Sequence, residues 1–347
     1  MTPGRLDEIL AGFGRAKITV VGDFFLDKYL EIEPTLAEVS LETGQEARQV
    51  VAIRCQPGGA GTVVANLCAL GSGRVQCLGL IGDDGEGFEL TRALRRLCAD
   101  TEGVLVRSDR LTPTYCKPMV RLPMGGLREL ERLDHRSGLP VPKEAESDLM
   151  DRVEAASADA SAIIAQDQIQ EPECGAITTR MRAALAAMCE ARPKLIGFAD
   201  SRVRVGEFRH MIVKPNQSEA RAAVPGNENA IACARKLARR TERPVFLTMG
   251  EEGIAVVTQT TWQQVPTVKL TTELDIVGAG DSVAAGTVLA LCAGANPTEA
   301  AVLANIVASI TVQQLGTTGT ATQEQVRRRF AEFEQVWSEL PPPQLFI

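Results

Sequence analysis

The sequence predicts an α/β fold, a mostly parallel central sheet flanked by helices, with a small β-sheet lid set on it. Two observations carry this. Short apolar runs of strand length alternate with longer segments of helical spacing. Two early stretches, residues 31–57 and 112–134, interrupt that rhythm with strand-like runs and no helix between them.

Taken in order, Lys17-Ile-Thr-Val-Val-Gly22 reads as a buried strand, and 61–70 as a helix stopped by Gly71. A second strand covers 75–81. A helix follows over 85–98, with Phe88, Leu90, Leu94 and Leu97 assigned to one side. Further strands are read at 161–165, 194–199, 211–213 and 245–248, and helices at 143–157, 173–190 and 227–240. The last part is helical, over 281–293, 298–314 and 323–338. This makes a single domain over 1–340, with lid segments 31–57 and 112–134 inserted and a loose tail at 341–347. A lid sheet with one bare face needs cover from substrate or a second subunit, so a homodimer through the lid is expected.

Composition narrows the function classes. The chain has 347 residues, 45% hydrophobic and 23% charged, ample for a buried core. Its net charge of -7 argues against a nucleic-acid partner. No run approaches a membrane span, and the N-terminus lacks the pattern of a signal peptide, so a cytoplasmic protein without a membrane partner is expected. The nine cysteines are scattered without a C-x-x-C, which reads as reduced core cysteines and not a zinc site.

The densest motif is Asp275-Ile-Val-Gly-Ala-Gly-Asp281, leading into the apolar run from Ser282. Glycines at a helix start let an anion approach free N–H groups at the positive end of the dipole. Asp281 beside such a site suits proton acceptance from an attacking hydroxyl. A plain strand-to-helix turn with an acidic cap reads equally well. Other motifs are weaker alone. Pro57-Gly-Gly-Ala-Gly61 offers backbone to hydroxyls or phosphates, or is only a flexible loop. Asp23 and Asp27 lie just beyond the first strand, where α/β sheets bind ligands. Asn216 and Glu219 read either as a capping pair or as oxygen donors near a hydrated cation. Thr248-Met-Gly250-Glu-Glu-Gly253 reads as a hairpin turn or a phosphate loop. A Walker motif, G-x-G-x-x-G at this turn and the protein-kinase set are all absent.

In their order and spacing these motifs resemble the ribokinase-like (PfkB) family of carbohydrate kinases over about residues 17–320. The resemblance implies a ribokinase-like fold, ATP with Mg²⁺, and transfer to a hydroxyl of a sugar or sugar phosphate. By it Asp281 is the catalytic base in a catalytic turn with Gly278, Ala279 and Gly280, and the N–H groups of Ala279, Gly280 and Asp281 are expected to steady the phosphoryl group. Asp23, Asp27, Gly58, Gly59 and Asn66 are assigned to the sugar. Asn216, Thr248, Gly250, Gly253, Asn305 and Gly316 are assigned to the nucleotide, and Glu219 to the metal. Gly22-Asp23, Leu26-Asp27, Arg132-Leu-Asp134, Ala199-Asp200, Lys214-Pro-Asn216 and Gln314-Leu-Gly-Thr317 are most similar to the bacterial heptose-7-phosphate kinase branch. That branch often carries a fused nucleotidyltransferase; with the sequence ending soon after the kinase motifs, no second activity is expected. The chain departs from the pattern at Thr62, where the family has Asn, and at Val277, where Thr is common. It departs again at Asp167-Gln-Ile-Gln-Glu171, which lacks the branch's lysine and glycine, and at Ser201-Arg202. These departures leave open a fructose- or nucleoside-type kinase, or a weakly catalytic binding protein on the same fold.

Overall fold

Apolar, β-branched runs pair into the sheet their chemistry favours. In the computed structural model, which describes residues 1–226 and 229–346, those residues form a ten-stranded sheet. Across it lie Gln344–Leu345, Thr261–Val265, Ile254–Val257, Val245–Thr248, Ile212–Val213, Ile196–Ser201, Ala162–Asp167, Lys17–Gly22, Arg74–Gly82 and Asp100–Arg107. Pairing is parallel from Val245–Thr248 through to Asp100–Arg107 and antiparallel among the first four. Ala162–Asp167 is buried along its whole length, as a parallel strand covered on both faces must be. One apolar core gathers Phe13, Leu67, Val288 and Leu303, and the other Leu149, Val153, Leu185 and Leu237.

The lid is a second sheet, ordered Leu133–His135, Thr114–Arg121, Phe24–Ile32, Val50–Gly59, with Leu127–Glu129 paired on Thr114–Arg121. Its alternation sorts side chains by face. Asp27 lies opposite Gln56 and Tyr115, and Tyr29 opposite Arg54 and Lys117, all on one face. On the other face Lys28 lies between Cys55 and Cys116 and pairs with Glu86 of helix Gly85–Arg96 at 2.8 Å.

Several sequence expectations are corrected. The lid sheet starts at Phe24, not residue 31, because the chain passes from the core strand directly into it. Strand Asp100–Arg107 is absent from the sequence reading; it is an edge strand whose Asp100, Glu102 and Gly103 blur the pattern. Phe88 is 67% exposed, since 100° per residue turns it away from the buried Leu90 and Leu94. The helix expected over 173–190 runs from Thr179 to Ala191, and residues 173–178 form an irregular turn. The segment 323–338 breaks at Phe333 into Gln323–Glu332 and Glu334–Ser338. The helix read over 227–240 begins outside the described residues; the described part is Ala230–Thr241, capped by Asn229. The tail is not loose. Gln344–Leu345 pairs with the sheet edge and Arg235 stacks over Phe346, while Ile347 lies outside the described residues. Cys98 is exposed and is no core cysteine. No helix among the described residues is long and apolar enough to cross a membrane.

Candidate active site

The Gly-Ala-Gly-Asp turn heads helix Ala279–Cys292. Gly278 sits at φ 79, ψ 2, a left-handed position that glycine adopts without strain. Asp275 secures the loop before it, accepting from the N–H of Val277 at 3.1 Å and of Gly316 at 3.0 Å. The Ala279 N–H donates to the Ile276 carbonyl at 3.1 Å. This corrects its expected role, because that amide is occupied. Among the described residues the amides of Gly280 and Asp281 find no acceptor and remain as helix-start donors.

Burial, with Asp200 nearby, pushes the Asp281 carboxyl up to about 7, against the pull of Lys214 and Arg202. Lys214 is buried, with Nζ 3.0 Å from Asp200 Oδ2. A Cβ on Gly280 would come within 3.2 Å of that ammonium, so the glycine lets cation and turn meet. Burial works against the charge on Lys214, but Asp200, Glu219 and Asp281 outweigh it and hold its pKa up. Sequence reasoning named Asp200 and Lys214 only as parts of motifs; an isolated Lys-Pro-Asn gives no sign that its lysine is paired and buried.

Two cavities meet at this turn. The larger, about 830 Å³, is lined by Asn216, Glu219, Thr248, Gly250, Gly253 and Asn305. The smaller, about 400 Å³ and under the lid, is lined by Asp27, Gly59, Thr62, Tyr115, Lys117 and Arg132. Asp281, Gly278, Gln168 and Arg202 line both. Asp281 therefore stands at the junction.

On the larger side, Asn216 and Glu219 form a complete capping box, with Glu219 N–H to Asn216 Oδ1 at 2.9 Å and Asn216 N–H to Glu219 Oε2 at 2.8 Å. The capping role exists, and both residues still line the cavity. Burial raises the Glu219 pKa and Asp200 adds to the rise. Thr248 bridges to Asn216 beside the hairpin that turns through Gly250–Glu252. Asn305 donates to the carbonyls of Val265 at 2.9 Å and Pro266 at 3.2 Å. Gly316 does not line the cavity. Its N–H serves Asp275 and its carbonyl accepts from Arg54 of the lid at 2.8 Å. Among the described residues no group of three or more His, Cys, Asp or Glu converges as a metal cage. Glu219 beside Asp200 is an all-oxygen pair, which suits a hydrated Mg²⁺ carried mainly by phosphates.

On the lid side, Asp27 is buried and paired with Lys117 at 2.9 Å. A Cβ on Gly58 would strike Asp27 Oδ2 at 2.6 Å. Gly59, at φ 56, ψ -123, caps helix Ala60–Ala69 in a conformation closed to other residues. Asp23 is buried, and its carboxylate accepts three backbone N–H groups, from Gln168 and Ile169 at 2.8 Å and Ala176 at 2.7 Å. Burial and neighbouring Asp167 push Asp23 up to about 6, while those N–H groups pull it back. Asp23 thus clamps the 168–176 loop and does not line the lid cavity. Asn66 is also corrected. It lies inside its helix and donates to Gly319 O at 3.2 Å, away from both cavities. Within the 167–171 stretch, Asp167 is buried and pairs with Arg204 from the neighbouring loop.

A profile of the pfkB family of carbohydrate kinases matches residues 139–324. The bifunctional protein HldE of Citrifermentans bemidjiense is 30% identical over 332 residues, covering 91% of this chain. That of Shewanella amazonensis is 30% identical over 317 residues, covering 89%. The chain spans 64% and 62% of the length of these relatives. Among solved structures, phosphofructokinase-2 of Escherichia coli in complex with potassium superposes with a TM-score of 0.69 at 16% identity, covering 92% of this chain and 99% of that one. Ribokinase of Arabidopsis thaliana complexed with ribose and ATP gives 0.65 at 17% identity, covering 90% and 98%.

Proposed function

We propose, on the premise that the chain belongs to the pfkB family of carbohydrate kinases, that it transfers the γ-phosphoryl group of ATP to a hydroxyl of a sugar or sugar phosphate. One observation carries the reading: Asp281, its pKa raised to about 7, stands where the two cavities meet. ATP takes the larger cavity and the acceptor lies under the lid. The acceptor hydroxyl gives its proton to the Asp281 carboxylate while its oxygen bonds to the γ-phosphorus. The bond from that phosphorus to the β-phosphate oxygen breaks, and ADP leaves. The Gly280 and Asp281 amides and the Lys214 ammonium meet the charge that builds on the moving group. Mg²⁺, when bound, supplies positive charge to the nucleotide phosphates, with Glu219 and Asn216 placed to hold its waters.

The motifs shared with the bacterial heptose-7-phosphate kinase branch favour a heptose 7-phosphate as acceptor. Lys117, Arg132 and Arg202 in the lid cavity support an anionic one. A fructose- or nucleoside-type kinase is the second reading, because Thr62 and Val277 line that cavity where the family carries other residues. A weakly catalytic binder is the third. ATP consumption across heptose 7-phosphates, hexose phosphates, free sugars and nucleosides separates them. Turnover confined to nucleosides refutes the sugar acceptor, and sugar binding without turnover refutes the kinase. Val51 and Ile53, exposed on the lid, support a homodimer through it. A monomeric mass in solution would reject that. The cytoplasm, which holds ATP, is the location we assign.

A further inference from the structure

Among the described residues, Gln168 and Arg202 are the two that line the larger cavity, the lid cavity and a narrow recess behind the lid cavity alike. They reach this junction from neighbouring strands. Gln168 follows Ala162–Asp167 and Arg202 follows Ile196–Ser201, which pair in parallel with Asp167 opposite Ser201. The side chains meet there, and the Arg202 Nε–H donates to Gln168 Oε1 at 2.8 Å. Gln168 is fixed from behind. Its Nε2 donates to Oε1 of the fully buried Gln166 at 2.9 Å, and its N–H donates to Asp23 Oδ2 at 2.8 Å. The Arg202 N–H donates to Asp167 O at 3.2 Å. A bond at Nε sets the plane of a guanidinium and leaves the fork of Nη1 and Nη2 free. Arg202 is exposed to the cleft, and among the described residues neither Nη has a partner.

The other cations at the junction are paired. Lys214 is 3.0 Å from Asp200, Lys117 is 2.9 Å from Asp27, and Arg132 is 2.7 Å from Asp134. Lys269, which among the described residues also has no ion pair, lines only the larger cavity. Asp281 shares both cavities with Arg202, and Glu219 lies on the larger side. Burial is the chief cause that raises both carboxyls, and the Arg202 charge pulls against the rise at each. One guanidinium therefore acts on the base and on the capping box together. A phosphoryl group that passes between the cavities spreads its charge over three equatorial oxygens. A planar fork of N–H donors meets two such oxygens at once.

We propose that Arg202 is a further catalytic residue of the transfer, its Nη1–Nη2 fork holding the oxygens of the phosphoryl group as it moves between the cavities, with Gln168 as the residue that positions the fork. The assignment rests on the kinase reading above. Arg202 forms no covalent bond and keeps its protons. Initial rates are measured with ATP and whichever of sedoheptulose 7-phosphate, fructose 6-phosphate, fructose and adenosine the wild type uses fastest. Arg202→Met should lower kcat roughly 100-fold, the low end for removing one donor to transition-state charge. KM for ATP and for the acceptor should stay within about threefold. Arg202→Lys, a charge without a fork, should recover part of the loss. Gln168→Ala should lower kcat roughly tenfold, and the double variant should lose no more than about threefold beyond Arg202→Met, because Gln168 acts through the arginine. A kcat within about threefold of wild type in Arg202→Met overturns the proposal. So does a loss confined to acceptor KM, which would make Arg202 an acceptor-binding group. Losses that multiply in the double variant refute the positioning role of Gln168. If no acceptor consumes ATP, the kinase reading fails, and calorimetric titration with MgADP, with and without aluminium fluoride as a planar mimic of the moving group, tests the fork alone. Tightening by fluoride of at least about tenfold in the wild type, lost in folded Arg202→Met, upholds it; equal or absent tightening refutes it.

Discussion

Replacing Asp281 by Asn should cost activity and add stability, through one carboxyl group. Its ordinary pKa of 3.8 rises to about 7 at the helix head. The unfolded chain releases this proton near 3.8, while the native protein keeps it to about 7. The group's favourable contribution to folding is therefore complete below pH 3.8 and is lost as pH rises through 7. Such a shift corresponds to a ceiling of roughly 4 kcal/mol, which water in the open cleft screens to about 1–2 kcal/mol. With an unfolding entropy of about 0.7 kcal/mol per degree for 347 residues, the variant should melt about 2 °C higher at pH 8. At pH 4 the two should melt together. Turnover should fall at least about 100-fold, the low end for removing a general base. Wild-type kcat should climb with pH through a midpoint near 7, since only the carboxylate accepts a proton. Stopped-time ADP assays across pH 5.5–8.5 and thermal melts at pH 4 and 8 provide the measurements. A flat pH profile, or turnover within tenfold of wild type, would refute the base assignment. A variant less stable at pH 8 would refute the electrostatic account.

Lys214→Met removes a charge that holds the Asp281 pKa down, so the midpoint of the pH–rate profile should move above 7 and turnover drop roughly 100-fold; an unmoved midpoint would separate Lys214 from the base. Asp23→Asn leaves at least one of three loop amides short of an acceptor, so stability should fall by about 2 kcal/mol and hydrogen exchange at 168–176 quicken. Undisturbed exchange there would show that Asp23 is no clamp. Gly59→Ala would bring a Cβ to 2.7 Å from Asp23 O at a positive φ of 56. It should destabilise by about 2 kcal/mol or more, and denaturant unfolding with no change of midpoint would contradict the strain.

Much of this protein was legible locally. Ile18-Thr-Val-Val21 and Ala162-Ile-Ile-Ala165 state their buried strands through unbroken apolar, β-branched runs, and glycines mark the turns at 58–59 and 278–280. The pairing of Asn216 with Glu219 was also legible, because capping acts across three residues. Errors arose where a distant segment decides. Asp23 carries no sign that residues 168–176 return to occupy it, 153 positions away for Ala176. Asn66 looks like a polar residue on a helix, and only packing against Gly319 makes it internal. The tail reads as loose until the free edge at Thr261–Val265 gives it a strand to pair with.

The sequence by itself determined the α/β layering, the lid as an interruption of it, and the turn at which phosphate chemistry would sit. These follow from side-chain period, branching and backbone freedom, which act over a few residues. Only the tertiary structure decided how that chemistry is tuned. Burial, with Asp200 brought alongside by folding, raises the Asp281 carboxyl to about 7 against the pull of Lys214 and Arg202. Burial works against the charge on Arg110, and Asp109 and Asp23 offset it only in part. Charge interactions and desolvation depend on distance in space, and that distance is set by the sheet and not by the order of residues.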